Sequence, residues 1–195
     1  EGIANERYAL VTLHRPSNVD EPVMLRKIIN ALEEISIDIP IIFPIHPRTR
    51  KLLTEFNIYH NSPMMKLLEP LGYLEFLSLQ KDATVVITDS GGIQEETTYL
   101  GVPCLTVRKN TERPITVTLG TNTIVGQDME LLKKEVKRVL QGKRKKGQTP
   151  PLWDGKAGEP ARLDNHFSNG GSTRERYISN GWRWQQLSVF VRRHP

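Results

Sequence analysis

Residues 83–96 read ATVVITDSGGIQEE, and this stretch decides the fold. Its first six residues form a largely apolar, β-branched run, which is the pattern of a strand buried on both faces of a parallel sheet. The turn at residues 90–92 leads into a helical pattern that reaches about Leu100, and Gly101 follows where a helix ends. The stretch therefore predicts a strand–turn–helix unit of an α/β domain.

Similar units occur on both sides of this stretch. Strand patterns are found at residues 8–13, 41–45, 65–68, 102–107 and 122–125. Helical patterns are found at residues 48–56, 73–79 and 129–140, and another begins at Asp20, with Pro22 in its first turn. Residues 14–19 are expected to form a polar loop. Repeated units of this length imply right-handed crossovers, so the sequence predicts an α/β fold with a doubly wound parallel sheet.

The net charge of +5 does not indicate a nucleic-acid site. Residues 160–195 carry +4 of it, in six arginines against Asp164 and Glu175. The basic run 143–146 follows a predicted helix, where cations face the negative end of the helix dipole, so we interpret it as a solvated helix terminus. Aromatic residues are sparse and are not interleaved with a basic stripe, and no nucleic-acid partner is expected.

Cysteine content and hydropathy favour a cytoplasmic protein without a membrane partner. The single cysteine, Cys104, lies in a short apolar run, which fits a reducing interior better than a disulfide scaffold. No apolar run approaches the roughly 20 residues that span a bilayer, and residues 1–7 do not resemble a signal peptide. Metal-ligand pairs, a Walker loop and a Gly-x-Gly-x-x-Gly motif are absent from the sequence, so neither a metal nor a cofactor is expected.

Beyond Pro151 the chain has no sustained helical or strand period. Residues 169–172 are loop-like, whereas Trp182, Trp184 and the run 187–191 suit a short strand or hairpin. The sequence leaves open whether this segment folds. We expect a domain over residues 1–159 and an atypical tail over residues 160–195.

Four polar residues fall just after predicted strands, namely His14, His46, Ser90 and Arg108. In doubly wound sheets, ligands bind beyond the carboxyl ends of the strands. We therefore expect the binding site at this edge of the sheet.

The turn at residues 90–92 suits a phosphate group. Gly91 and Gly92 let a ligand approach the backbone, and the following helix points free N–H groups at it. Ser90 adds a hydroxyl donor, and Glu96, one turn into the helix, can accept hydrogen bonds from ribose hydroxyls. A second interpretation of Glu95 and Glu96 stays open, because acidic residues in a first helical turn also favour the helix dipole.

Basic residues follow three of the other predicted strands. His14 and Arg15 can meet a diphosphate, the histidine as a donor and the arginine as a fork. His46 and Arg48 repeat this arrangement after the next strand, where a purely structural role fits the sequence equally well. Arg113 lies in a loop that follows the strand at residues 102–107.

Taken together and in order, these motifs resemble the non-hydrolysing UDP-N-acetylglucosamine 2-epimerases. The matching pieces are VTLHR at residues 11–15, EPLGYLEF at 69–76, TDSGGIQEE at 88–96, LGVPCLTVR at 100–108, TERP at 111–114, GTNTIVG at 120–126 and PLWDGKAGE at 151–159. The resemblance covers residues up to about 159. It implies a Rossmann-like domain, the second of two domains that face a cleft in a GT-B-type enzyme.

The resemblance implies a UDP-sugar partner and a role for each site residue. His14 is the implied catalytic residue, and the implied substrate-binding residues are Arg15, Phe76, Ser90, Gly91, Gly92, Glu96 and Arg113. In this reading Glu96 binds the ribose, Phe76 lies at the uracil and Arg113 contacts the nucleotide. The family breaks the C1–O bond to expel UDP, passes through a 2-acetamidoglucal, and re-adds UDP with C2 inverted. No metal or nicotinamide is implied.

Three departures from the family pattern limit what this chain does alone. The acids that handle the C2 proton lie in the family's first domain, which would have to be supplied in cis or in trans. Ile115 stands where the family commonly has Glu, and Pro160 interrupts the helix expected there. The full-length family further implies a homodimer and a place in cell-surface polysaccharide biosynthesis. Two alternatives remain: the donor domain of a GT-B glycosyltransferase, and a non-catalytic nucleotide-binding module.

Overall fold

Residues 7–151 and 153 are described by the structure, a computed structural model, and within them six strands form one parallel sheet. The strands are β1 (Ala9–Thr12), β2 (Ile41–Pro44), β3 (Met65–Leu68), β4 (Val85–Thr88), β5 (Cys104–Thr106) and β6 (Asn122–Ile124). Their order across the sheet is β3-β2-β1-β4-β5-β6, and each neighbouring pair is parallel. The predicted doubly wound parallel sheet is confirmed.

Seven helices connect or follow these strands in the described part of the chain. They are α1 (Pro16–Val19), α2 (Pro22–Ser36), α3 (Pro47–Glu55), α4 (Tyr73–Asp82), α5 (Gly91–Leu100), α6 (Pro114–Thr118) and α7 (Met129–Leu140). The longer helices divide between the two faces of the sheet, with α2, α3 and α7 over one face and α4 and α5 over the other.

Two apolar clusters join the helices to the sheet. Side chains alternate along β1, since Ala9 and Val11 belong to the larger cluster and Leu10 belongs to the smaller one. The larger cluster includes the predicted apolar stripe of α2, which consists of Leu25, Ile28, Ile29, Leu32 and Ile35. The smaller cluster packs against α4 and α5. The central strands are therefore buried on both faces, as the apolar run at residues 83–88 predicts.

The strand order reverses between β1 and β4. Strands β2 and β3 lie on one side of β1, whereas β4, β5 and β6 lie on the other. The segments that leave the carboxyl ends of β1 and β4 therefore diverge toward opposite faces, and the crevice between them is where open α/β sheets bind ligands. We call it the switch-point crevice. His14 follows β1 and Ser90 follows β4, so both predicted residues border it.

Two short helices and one helix start differ from the sequence prediction. Helices α1 and α6 form where loops are expected; each begins with Pro and is too short to show a helical period. The prediction that Asp20 caps α2 is wrong by one residue, because Glu21 holds that position. Asp20 instead pairs with Arg48, with 2.5 Å between Oδ2 and Nη2.

The chain divides into two compact units, residues 1–148 and residues 149–195. The sheet and the described helices belong to the first unit. In the second unit, the amide of Trp153 donates to the carbonyl of Pro150 at 3.2 Å. The expected boundary at residue 159 and the expected tail lie outside the described residues. None of the described helices is long and apolar enough to cross a membrane.

Candidate functional site

Asp89, which directly follows β4, forms the base of the switch-point crevice. Its side chain is fully buried. Its Oδ2 atom accepts from the backbone N–H groups of His14 (3.1 Å) and Arg15 (2.9 Å) and from Nδ2 of Asn18 (3.0 Å). Nδ1 of the His14 ring lies 3.1 Å from Oδ1. Asp89 thus ties the end of β1 and helix α1 to the end of β4.

The surroundings of Asp89 favour its ionised form. Burial by itself raises the pKa of the Asp89 carboxyl, but hydrogen bonds from His14, Arg15 and Asn18 outweigh burial and hold the pKa below its ordinary value. A negative charge therefore lies buried beneath His14 at neutral pH.

Asn18 and Gln127 extend this network to the other loops of the crevice. Asn18 is fully buried, and its Nδ2 atom also donates to the carbonyl of Val107 at 2.9 Å. Its Oδ1 accepts from Nε2 of Gln127 (3.2 Å), which also donates to the carbonyl of Ser17 (2.7 Å). The loops that follow β1, β4, β5 and β6 are therefore held together by one set of hydrogen bonds.

The N terminus of α5 borders the crevice. Ser90 holds the N-cap position with an extended backbone, and its side chain makes no capping hydrogen bond. The N–H groups of the first turn, which begins at Gly91, have no acceptor within a helix and carry the positive end of its dipole. This arrangement suits an anion, as the sequence predicts.

The loop between β5 and α6 lies beside this terminus. Glu112 accepts from both Nη atoms of Arg108, at 2.7 and 3.0 Å, and these hydrogen bonds lower the pKa of Glu112 to about 2. A Cβ atom on Gly91 would lie 3.7 Å from Oε2 of Glu112 and 4.0 Å from Cγ of Arg113. Nε of Arg113 lies 2.8 Å from Oε1 of Glu95. The Arg113–Glu95 ion pair thus holds this loop against α5, and the Arg108–Glu112 pair lies within the loop.

A buried polar network fixes the same loop from beneath. Oε1 of Gln94, in α5, accepts from Oγ1 of Thr111 (2.5 Å) and Nδ2 of Asn122 (3.1 Å). Asn122 also contacts Thr106 at 2.6 Å and Thr116 at 3.1 Å. The sequence does not predict this network, since no periodicity marks a buried polar residue whose partners lie far along the chain.

Glu96 and Phe76 lie along α5 and α4 rather than at the helix N terminus. Glu96 is 5% exposed. The Gln80 amide, in the orientation that satisfies both its neighbours, donates to Oε2 of Glu96 (3.2 Å) and accepts from the Thr97 amide (3.3 Å). Phe76 is partly buried against the smaller apolar cluster. The first turn of α5 contains no acidic residue, so the alternative role of Glu95 and Glu96 as first-turn acids is wrong.

His46 lies near His14, whereas Arg48 points to another partner. His46 is the N-cap of α3, and its Nδ1 atom accepts from the Arg48 amide at 3.2 Å. The rings of His14 and His46 are 5.9 Å apart, centroid to centroid. Because the Arg48 side chain is paired with Asp20, His46 is the better placed of the two for a role at the crevice.

The structure brings most of the predicted site residues to one place. Those at or beside the crevice are His14, Arg15, Ser90, Gly91, Gly92 and Arg113. The residues predicted from the sequence do not include Asp89, although an acidic residue directly after a buried strand is a feature that the sequence shows. Among residues 7–151 and 153, no three His, Cys, Asp or Glu side chains are grouped as metal ligands.

Comparison with known proteins identifies a family for this chain. A family model described as UDP-N-acetylglucosamine 2-epimerase matches residues 1–161. The UDP-N-acetylglucosamine 2-epimerase of Methanocaldococcus jannaschii is 47% identical over 162 residues, which are 80% of this chain and 44% of that protein. The enzyme of Escherichia coli K12 is 37% identical over 142 residues, which are 70% of this chain and 37% of that protein.

Solved structures give the same similarity. The crystal structure of the Methanocaldococcus jannaschii epimerase in complex with UDP-GlcNAc and UDP matches with a TM-score of 0.73 at 46% identity, over 83% of this chain and 46% of that one. The Neisseria meningitidis epimerase bound to UDP-GlcNAc matches with a TM-score of 0.68 at 27% identity, over 84% of this chain and 46% of that one. The chain therefore spans less than half the length of these relatives.

Proposed function

The chain belongs to the UDP-N-acetylglucosamine 2-epimerase family, and we propose that it supplies the nucleotide-binding half of such an enzyme. Its fold is the Rossmann-like half of a GT-B architecture. The observation that carries the proposal is the switch-point crevice, which His14, the N terminus of α5 and Arg113 all border.

We assign the diphosphate of a UDP-sugar to the N terminus of α5. The N–H groups of Gly91 and Gly92 and the hydroxyl of Ser90 would donate to phosphate oxygens. Arg15 and Arg113 would add positive charge, in the fork geometry that matches phosphate. Because Glu95 already holds Arg113 in place, the protein loses less side-chain entropy when the ligand binds.

The nucleoside would extend along α4 and α5. We propose that Glu96 accepts from the ribose hydroxyls and that Phe76 lies at the uracil. The contact with Gln80 supports this role for Glu96, since it orients the carboxylate before a ligand arrives. Phe76 is only partly buried and so keeps apolar surface available to a base.

The proposed reaction interconverts UDP-N-acetylglucosamine and UDP-N-acetylmannosamine. The C2 proton is removed and its bonding pair forms a C1=C2 double bond as the C1–O bond breaks, with the electron pair of that bond leaving on the diphosphate of UDP. UDP then re-adds at C1 while a proton adds to the opposite face of C2, which inverts C2. The residues of this chain would stabilise the charge that develops on the diphosphate. The proton-handling acids would come from a first domain, in cis or in trans, and the complete enzyme would be a homodimer. The chain alone is therefore expected to bind UDP without epimerising the sugar.

Isothermal titration calorimetry on the chain tests the nucleotide half of this proposal. UDP should bind weakly, since half of the cleft belongs to the other domain, and free N-acetylglucosamine should bind more weakly still, because most of the donors suit phosphate. Arg113→Ala should weaken UDP binding on the order of tenfold, as expected for the loss of a hydrogen bond to a charged group.

Arg138 offers a matched control for Arg113. It is also an arginine paired with a glutamate, at 3.0 Å from Glu135, but it lies on α7. Arg138→Ala should leave the UDP affinity unchanged. Binding of N-acetylglucosamine as strong as that of UDP, or equal losses in the two variants, would contradict the proposal.

A further inference from the structure

We infer that Asp89 is a positioning residue for the proposed reaction: its carboxylate keeps a proton on Nδ1 of His14 and so directs Nε2 of the ring into the crevice. The inference rests on the function proposed above, because it concerns how His14 meets a diphosphate. Asp89 is fully buried at the base of the crevice, whereas 37% of the His14 side chain is exposed. The ring nitrogen turned away from Asp89 is therefore the one that a ligand reaches.

The described partners of Asp89 fix the position of that proton. The backbone N–H groups of His14 and Arg15 can only donate. The Asn18 amide is held in one orientation, because its Oδ1 receives a hydrogen bond from Gln127 and its Nδ2 faces Asp89. The carboxylate is thus an acceptor toward each of them. Since Nδ1 of His14 lies 3.1 Å from the same carboxylate, Nδ1 carries the proton.

This assignment constrains how His14 can bind a phosphate. In the neutral ring with its proton on Nδ1, Nε2 presents a lone pair, which repels a phosphate oxygen. His14 can donate to a diphosphate only after Nε2 has also gained a proton. The carboxylate of Asp89 also suits that doubly protonated ring, since Nδ1 remains a donor to it.

The substitution Asp89→Asn should reverse the tautomer. Oδ2 receives hydrogen bonds from both Arg15 and Asn18, so the oxygen of an asparagine is best kept at that position. Its NH2 group then takes the place of Oδ1 and faces Nδ1 of His14. A donor at this place requires a lone pair on Nδ1 and moves the proton of the neutral ring to Nε2.

Nitrogen-15 NMR of the histidine rings in the free chain reads the tautomer directly. We expect His14 to be protonated on Nδ1 in the unchanged protein and on Nε2 in Asp89→Asn, with His14→Gln used to assign its signals. A proton on Nε2 in the unchanged protein, or an unchanged tautomer in Asp89→Asn, would overturn the inference.

A double-mutant cycle tests whether Asp89 acts through His14. Asp89→Asn should weaken UDP binding about tenfold in isothermal titration calorimetry, because a neutral Nε2–H group is a weaker donor to phosphate than the doubly protonated ring. In the His14→Gln background the same change should have little effect on affinity. An equal loss of affinity in both backgrounds would make Asp89 purely structural and overturn the inference. If the unchanged chain fails to bind UDP while the tautomers are as expected, the proposed function fails and the Asp89–His14 assignment stands.

Discussion

His14 and Arg113 border the same crevice but have different partners. Nδ1 of His14 lies 3.1 Å from the buried carboxylate of Asp89, which leaves Nε2 as the ring nitrogen that a ligand reaches. Arg113 is a permanent cation held by Glu95 at the side of the crevice. We therefore expect His14 to respond to charge that develops on a leaving diphosphate, and Arg113 to hold the nucleotide in ground and transition states alike.

Substitutions of His14 and Arg113 should therefore change different kinetic parameters. Measuring them requires a matching first domain, supplied as a fusion or as a co-expressed chain. His14→Ala should lower the kcat of epimerisation on the order of 100-fold, because it removes a donor that interacts more strongly as charge develops. Arg113→Ala should mainly raise KM, and Glu96→Gln should do the same through the ribose. Steady-state kinetics measure both. A His14→Ala variant with full kcat and only a raised KM would make His14 a binding residue.

The polar residues at strand ends could be predicted as site residues from the sequence, whereas the partners of the buried polar residues could not. His14, Ser90 and Arg113 stand out because each follows a strand or a strand-end loop, where ligands bind. Asp89 and Asn122 form hydrogen bonds with residues that only the fold brings close, such as Asn18 and Gln94. Their roles depend on tertiary contacts that no local pattern encodes.

At the scale of elements, the N-terminal end of α5 borders the switch-point crevice, whereas its side is closely packed. Gly91 lies at that end, and Gly120 contacts that side. Gly91 opens the helix, and a Cβ there would have its nearest contact at 3.7 Å, an ordinary van der Waals distance. Gly120, after α6, packs against the side of α5. A Cβ there would lie 2.3 Å from Oγ1 of Thr98 and 2.5 Å from the carbonyl oxygen of Thr116.

Alanine at these two positions should therefore affect different properties, namely the stability of the fold at Gly120 and UDP binding at Gly91. Gly120→Ala should destabilise the protein by about 1–3 kcal/mol through overpacking, measured by thermal or denaturant unfolding. Gly91→Ala should leave the unfolding midpoint nearly unchanged but weaken UDP binding, because its methyl group stands where the ligand approaches the backbone. If Gly91→Ala bound UDP as tightly as the unchanged chain, the diphosphate would have to lie elsewhere.

The strands and long helices follow from the sequence to within a few residues, and the one-turn helices do not. Continuous apolar runs identify β1 and β4, and the stripe of α2 has a clear helical period. Helix α1 is only four residues long, so it contains no period to detect. Its position depends on Asp89, which binds the two residues before it and Asn18 within it.

For the whole molecule, the order of the strands creates the site. The alternation of strands and helices predicts a doubly wound sheet, but the pairing of β1 with both β2 and β4 is a long-range property of the fold. That pairing places the loops after β1 and β4 side by side, and the loops after β5 and β6 join them through Val107 and Gln127. In the enzyme proposed above, this chain supplies one half of the site and a first domain supplies the other half.

Backbone amide chemical-shift mapping during a UDP titration locates the nucleotide on the fold. We predict that the largest shifts occur at His14, Arg15, the first turn of α5 and the loop around Arg113. The amide signals at the amino ends of the strands, such as those of Tyr8 and Thr84, should not shift. Shifts that cluster at the basic run 143–146 and leave the first turn of α5 unaffected would show that UDP does not bind at the switch-point crevice.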